Sequence, residues 1–185
     1  MRLQHSAWVF DKALNKATCD ELIRIGNEQI IEEATVDGGK QPAKKTRICK
    51  TGWIYDPYIM DQIMEYVSTA NVQAGWNFDW DFSEACQFTI YEKNQYYGWH
   101  YDSAPEPYDD PNNLNRHGKI RKLSVTISLS DESEYEGGDF EFDFRNHFKD
   151  DKFNKFLELD KTVHSVPEIR PKGSIVVFPS FVWHR

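Results

Sequence analysis

The chain has little that would take it into or across a membrane. No apolar run approaches the length of a spanning helix, and the opening "MRLQHSAWVFDKAL" lacks the apolar stretch of a secretion signal. Cysteines are few. Cys19, Cys49 and Cys86 are widely spaced and odd in number, which excludes a disulfide framework or a zinc ribbon and suits a reducing, cytoplasmic setting. Positive charge is scarce too. A net charge of -8 argues against a nucleic-acid backbone as partner. The one short basic run, "KKTR" from Lys44 to Arg47, reads as a solvated surface feature. Internal repeats and low-complexity tracts are absent.

What remains is one ring-rich domain of 185 residues, with 39% hydrophobic and 15% aromatic residues. Two helices come first. "TCDE" reads as a capping box, with Thr18 as N-cap and Glu21 three residues on. Leu22, Ile25 and Gln29 then share a face. "DPYIM" opens the second helix with Asp56 as cap and Pro57 in the first turn. Ile59, Ile63, Tyr66, Val67 and Ala70 keep helical spacing, and Gly75 ends it. Between them "VDGGKQPAKKT", Val36 to Thr46, reads as a mobile loop.

After Gly75 the period becomes two. In "WNFDWDF", Trp76, Phe78, Trp80 and Phe82 alternate with polar residues, as in a half-buried strand. Strand-like runs follow: "ACQFTIYE", "YYGWHYD", "RKLSVTISLS", "GGDFEF", "KTVHSV" and "GSIVVF", with a turn at "RPKG". Helices followed by strands predict an α+β, mainly β sandwich or barrel. A polar loop from Ala104 to Lys119 is placed to act as a lid. The charged segment "FRNHFKDDKFNKFLELDK" has no clear pattern.

The chemistry concentrates in "GWHYDSAP". In an extended strand His100 and Asp102 point to one face, and Trp99 and Tyr101 to the other. Such a pair is either a buried hydrogen-bonded couple or two metal ligands awaiting a third. Of the six histidines, His5 lies near a terminus, and His117 and His147 lie in polar segments. His164 sits in a strand-like run, and His184 follows the buried "GSIVVFPSFVW". Two histidines and one carboxylate on one side of a metal suit Fe(II), which must leave positions open for other ligands.

Three stretches, "YEKNQYYGWHYD", "RKLSVTISLSDESEYEGGDFEF" and "HSVPEIRPKGSIVVFPSFVWHR", together resemble the Fe(II)/2-oxoglutarate-dependent dioxygenases, in particular the prolyl/lysyl-hydroxylase-domain branch. The resemblance covers roughly the C-terminal half. It implies a double-stranded β-helix, or jelly roll, over about residues 76–185, with supporting N-terminal helices over about 1–75, in a single oxygenase domain spanning 1–185. It implies His100, Asp102 and His184 as iron ligands, with 2-oxoglutarate and O2 as co-substrates and ascorbate as an optional accessory. Tyr91 resembles the tyrosine that meets the co-substrate, and Ser124 matches a contact position. The resemblance also calls for a basic residue about ten positions past the distal histidine. The given sequence stops at Arg185, so the expectation is that the final strand is missing. Lys122, in phase with Ser124, is the stand-in, because Arg185 faces the other way. The implied reaction is hydroxylation of a C–H bond, with peptidyl proline favoured over a small molecule and succinate and CO2 released. The carboxylate at Asp102 favours hydroxylation over halogenation. Two alternatives stand beside it: a jelly-roll metal-binding module without activity, and a cupin-like metalloenzyme that does not use 2-oxoglutarate.

Overall fold

In the computed structural model, residues 5–29, 32–33, 35–36, 41–42, 46–144 and 162–185 are described. The elements run β1 (Trp8–Phe10), α1 (Lys16–Glu28), β2 (Glu32–Glu33), β3 (Thr35–Val36), β4 (Gln41–Pro42), β5 (Arg47–Ile48), β6 (Lys50–Ile54) and α2 (Pro57–Gln73). They continue with β7 (Cys86–Ile90), β8 (Tyr96–Tyr97), β9 (Leu123–Ile127), β10 (Glu141–Asp143), β11 (Val163–Ser165), β12 (Ile175–Pro179) and β13 (Trp183–His184). The protein is mainly β with two α-helices, as the change of period predicts.

Helix α2 begins as the sequence specifies. Asp56 accepts from the backbone N–H groups of Tyr58 and Ile59, and Pro57 fills the first turn. Gly75, at φ 70°, follows its last turn. Helix α1 begins earlier than the Thr18 reading. Asn15 is the N-cap and accepts from the Thr18 N–H at 3.0 Å, so Thr18 lies inside the helix. The capping-box reading fails because Glu21 is drawn to Arg24, not back to the backbone.

The "WNFDWDF" alternation does not form a strand; residues 76–85 are irregular. Asn71, buried on α2, donates to the Phe78 carbonyl and accepts from the Phe78 N–H, both at 2.9 Å. Asn77 lies at φ 52°. A segment capped by a helix side chain cannot also join a ladder. Trp76 is nonetheless buried, and its indole N–H donates to the His5 carbonyl.

Strand β12 is buried at every position and serves two cores. Its neighbours are β1 and β9. Ile175 and Val177 face the helices and pack with Leu14, Cys19, Leu22, Ile63, Val67 and Ala70. Val176 and Phe178 face the other way, against Phe142 of the β11–β10–β13 sheet, with Ile169 and Val182. Each of these aliphatic side chains contributes about 2 kcal/mol by leaving water. Residues 5–54 add strands as well as a helix, since β1 pairs with β12 and β6 pairs with β7. Among the described strands, β7 and β9 are each at a sheet edge, and both line the cavity that holds the site. The Val36–Thr46 loop reading and the segment 145–161, with His147, fall largely outside the described residues.

Candidate metal centre

Backbone pairing brings the distant halves of the site together. The His100 N–H donates to the His184 carbonyl at 2.9 Å, and the His184 N–H donates to the His100 carbonyl at 2.8 Å. Two residues on, the Asp102 N–H donates to the Ser180 carbonyl at 2.8 Å. Alternation then puts His100 and Asp102 on the His184 side, as the sequence predicts.

Each imidazole is fixed by a carbonyl two residues before it. His100 Nδ1 lies 2.8 Å from the Gly98 oxygen, and His184 Nδ1 lies 2.9 Å from the Val182 oxygen. A carbonyl only accepts, so both Nδ1 atoms carry the proton and both Nε2 lone pairs are free for a metal. Those lone pairs face one carboxylate. His100 Nε2 is 3.6 Å from Asp102 Oδ1, and His184 Nε2 is 3.8 Å from Asp102 Oδ2. The three ligand atoms lie within 4.8 Å of one another. Neighbouring donors around one ion, each about 2 Å from it, need a separation of this order.

Asp102 is held from behind. Ser124 Oγ donates to its Oδ2 at 2.7 Å and lies 2.8 Å from Ser180 Oγ. Removing that hydroxyl leaves the carboxylate free to rotate. Ser124→Ala is therefore expected to weaken metal binding about tenfold, the scale of an outer-shell loss, with the melting temperature little changed; metal titration by calorimetry reads it.

Burial, with the neighbouring His184 and Arg47 adding to it, pulls His100 down from 6.5 to about 4. The imidazole is thus neutral near pH 7, the form that ligates. The donor set of two imidazoles and one carboxylate, with nothing from the chain opposite them among the described residues, suits Fe(II) and leaves coordination positions for other molecules.

Around the triad lies a ring-lined wall. Tyr97 stacks on His100 with centroids 3.5 Å apart, while Phe140 and Phe178 pack against His184. Arg121 is held by Glu84, lies over Tyr108 and reaches the Asp102 carbonyl at 3.4 Å, tying the Ala104–Lys119 loop to the site. Tyr91 continues the polar Gln87–Thr89 face and lines the same cavity, half exposed. Lys122 donates to the Asp79 carbonyl at 2.5 Å and is occupied there.

The "KKTR" reading is corrected at its last residue. Arg47 is 7% exposed and lines the cavity. The alternation Arg47, Cys49, Thr51, each buried between exposed Ile48 and Lys50, carries the signal that the charge run concealed. The other described histidines stay away from the triad. His164 is exposed against Phe144, His117 lies in the polar loop beside Asp109 and Asp110, and His5 packs on Trp8. Arg185 faces out over Trp99 and pairs with Glu141, as its parity requires. The three cysteines are free.

The family described as the 2OG-Fe(II) oxygenase superfamily matches residues 86–185, more than half of the chain. A prolyl-4-hydroxylase from Pseudomonas putida has a similar fold, with TM-score 0.61 and 19% identity over 97% of this chain and 84% of that one. A viral collagen prolyl hydroxylase from Paramecium bursaria Chlorella virus-1, solved as a 2OG complex, has TM-score 0.57 and 20% identity over 95% and 78%. No curated protein matches the chain in sequence.

Proposed function

Because the chain belongs to the 2OG-Fe(II) oxygenase superfamily, a family that works with Fe(II), 2-oxoglutarate and O2, we propose that this dioxygenase hydroxylates a C–H bond of peptidyl proline and releases succinate and CO2. The two facing sheets are read here as the halves of a double-stranded β-helix, with α1 and α2 as its support. The observation that carries the reading is the convergence of two free Nε2 lone pairs and one carboxylate.

His100, Asp102 and His184 would hold the iron, whose chemistry when bound is activation of O2 coupled to decarboxylation of the 2-oxo acid. The chain's own work is positioning and exclusion. Backbone carbonyls fix the two imidazoles, and Ser124 fixes the carboxylate. The rings of Phe140, Phe178 and Tyr97 keep water from the ligands' flanks. Tyr91, which lines the same cavity, would meet the co-substrate, and Ser124 acts through Asp102. Proline is the favoured target because the similar folds belong to prolyl hydroxylases.

The test is succinate release and oxygen uptake with Fe(II), 2-oxoglutarate and proline-containing peptides. One succinate per hydroxyproline is expected. No succinate above the metal-free blank with any peptide contradicts the reading and favours a metal-holding module.

The depressed His100 gives a pH prediction. Unfolded, the imidazole takes a proton near 6.5; folded, only near 4. The stabilising effect of keeping it neutral is complete above about 6.5 and is lost as pH falls toward about 4. The metal-free protein should therefore melt progressively lower across that window. Metal binding at pH 7 should release no proton from His100, which calorimetry in buffers of different ionisation enthalpy reads.

A further inference from the structure

Of the six tryptophans, only Trp53 and Trp80 are exposed, at 41% and 38%, and both line the cavity that holds the triad. An indole face left in water forgoes its burial. Two such faces in one cavity mark a surface that another molecule completes. Tyr55 and Phe82, each two residues further on, are exposed in the same cavity and extend that surface. The main chain under both indoles is braced. Trp53 stands on β6 opposite Gln87 of β7, on the ladder face of the Thr51–Thr89 pair. Trp80 stands between Asp79, whose carbonyl accepts from Lys122 at 2.5 Å, and Asp81, whose carboxylate holds Lys119 at 2.7 Å. Docking on rings held this way orders little additional chain. The same ion pairs cancel the local charge, since Lys119 neutralises Asp81 while Arg116 and Arg121 share Glu84. What is left to recognise a ligand is two ring faces and two indole N–H groups, neither with a hydrogen-bond partner among the described residues.

All four aromatic residues precede Cys86, where the match to the oxygenase family begins. They lie outside the segment that carries the shared metal chemistry, which is where selectivity particular to this chain belongs. We infer that Trp53 and Trp80 form a specificity surface for a peptide substrate. It takes an apolar ring, of proline or an aromatic residue, that flanks the target residue in an extended chain, and an indole N–H donates to a main-chain carbonyl beside it. The ring is uncharged because the charges around Trp80 are already paired. The chain is extended because only then do its carbonyls stay free to accept while its side chains reach the indoles. The inference rests on the oxygenase reading for the target residue and adds a requirement on the residues around it.

The experiment is calorimetry of blocked peptides on the protein loaded with Mn(II) and 2-oxoglutarate, as wild type, Trp53→Ala, Trp80→Ala, Trp53→Phe and the double alanine variant. Tyr58→Ala, which removes an exposed ring on α2 outside the cavity, is the control. Each peptide carries one central proline in a glycine–serine background, and a single tyrosine is moved through the three positions on either side. At one or more positions the wild type should bind the tyrosine peptide about tenfold more tightly than the peptide without it. Trp53→Ala and Trp80→Ala should each lose most of that gain, Trp53→Phe should keep part of it, and Tyr58→Ala should keep it all. Affinity for Mn(II) and 2-oxoglutarate, and the melting temperature, should be unchanged throughout. With Fe(II) in place of Mn(II), the gain should appear in KM and not in kcat. A wild type indifferent to tyrosine at every position overturns the inference, as does a double variant that retains the gain. It is equally overturned if the double variant melts lower or loses 2-oxoglutarate, because the indoles would then be structural. A wild type that shows the ring preference and forms no succinate would sink the oxygenase reading while the docking surface stands. If Mn(II) or 2-oxoglutarate does not bind, the same titrations on the unloaded protein decide the surface by itself.

Discussion

Asp102→Ala should abolish succinate formation and weaken Fe(II) binding by about 100-fold or more, beyond the scale of outer-shell losses. Asp102 is the one anion of the triad, and both Nε2 atoms face it. Without it, two neutral imidazoles are left to hold a dication. The fold should survive, because the Asp102 backbone keeps its hydrogen bond to the Ser180 carbonyl and the side chain is not part of either hydrophobic core. Activity and metal affinity should therefore fall while the melting temperature stays near that of wild type. His164→Ala is the control. His164 is exposed, and β10 lies between it and His184, both pairing with Phe142, so iron binding should be unchanged. Loss of iron in that variant would mean the wrong histidine had been assigned.

The second large effect is on stability. Gly173→Ala should destabilise the fold by about 3 kcal/mol, from a strained backbone and a steric clash that cannot be relieved cheaply. Gly173 sits at φ 86°, a region costly for any residue with a Cβ. The added methyl would press on the Leu14 carbonyl oxygen, which is main chain and cannot swing aside. The same turn ties the N-terminal segment to the sheet, since the Leu14 N–H donates to the Gly173 carbonyl at 3.0 Å and the Gly173 N–H donates to the Ser128 carbonyl at 2.8 Å. For a chain of this length such a loss lowers the melting temperature by roughly 10 °C. A variant that melts like wild type would show that the turn can rearrange.

How far the sequence could be read depended on whether a pattern had one physical cause. The His100 and Asp102 pair was legible because alternation in an extended segment depends on the backbone alone. His184 was legible through the resemblance, because the strand-like runs alone left His164 beside it as a candidate. α2 was legible because Asp56 and Pro57 act on the first turn without help from the rest of the fold. The "WNFDWDF" run misled because its alternation was real but its hydrogen bonds were taken by Asn71, a residue in the preceding helix. Arg47 was missed for a related reason. Three neighbouring cations and a polar loop suggest solvent, whereas the fold turns the last of them inward beside Gln87 and Thr89. Ser124 was assigned to the site by the resemblance, but its partner, the Asp102 carboxylate, became visible only when β9 and the His100 segment were brought together.

The most direct test of the account is a crystal of the protein loaded with Mn(II) as a redox-silent substitute, measured at a wavelength where the metal scatters anomalously. The account predicts one strong peak about 2.1 Å from His100 Nε2, Asp102 and His184 Nε2. A peak held by other residues, or a His184 ring turned away from Asp102 with no metal between them, would contradict it.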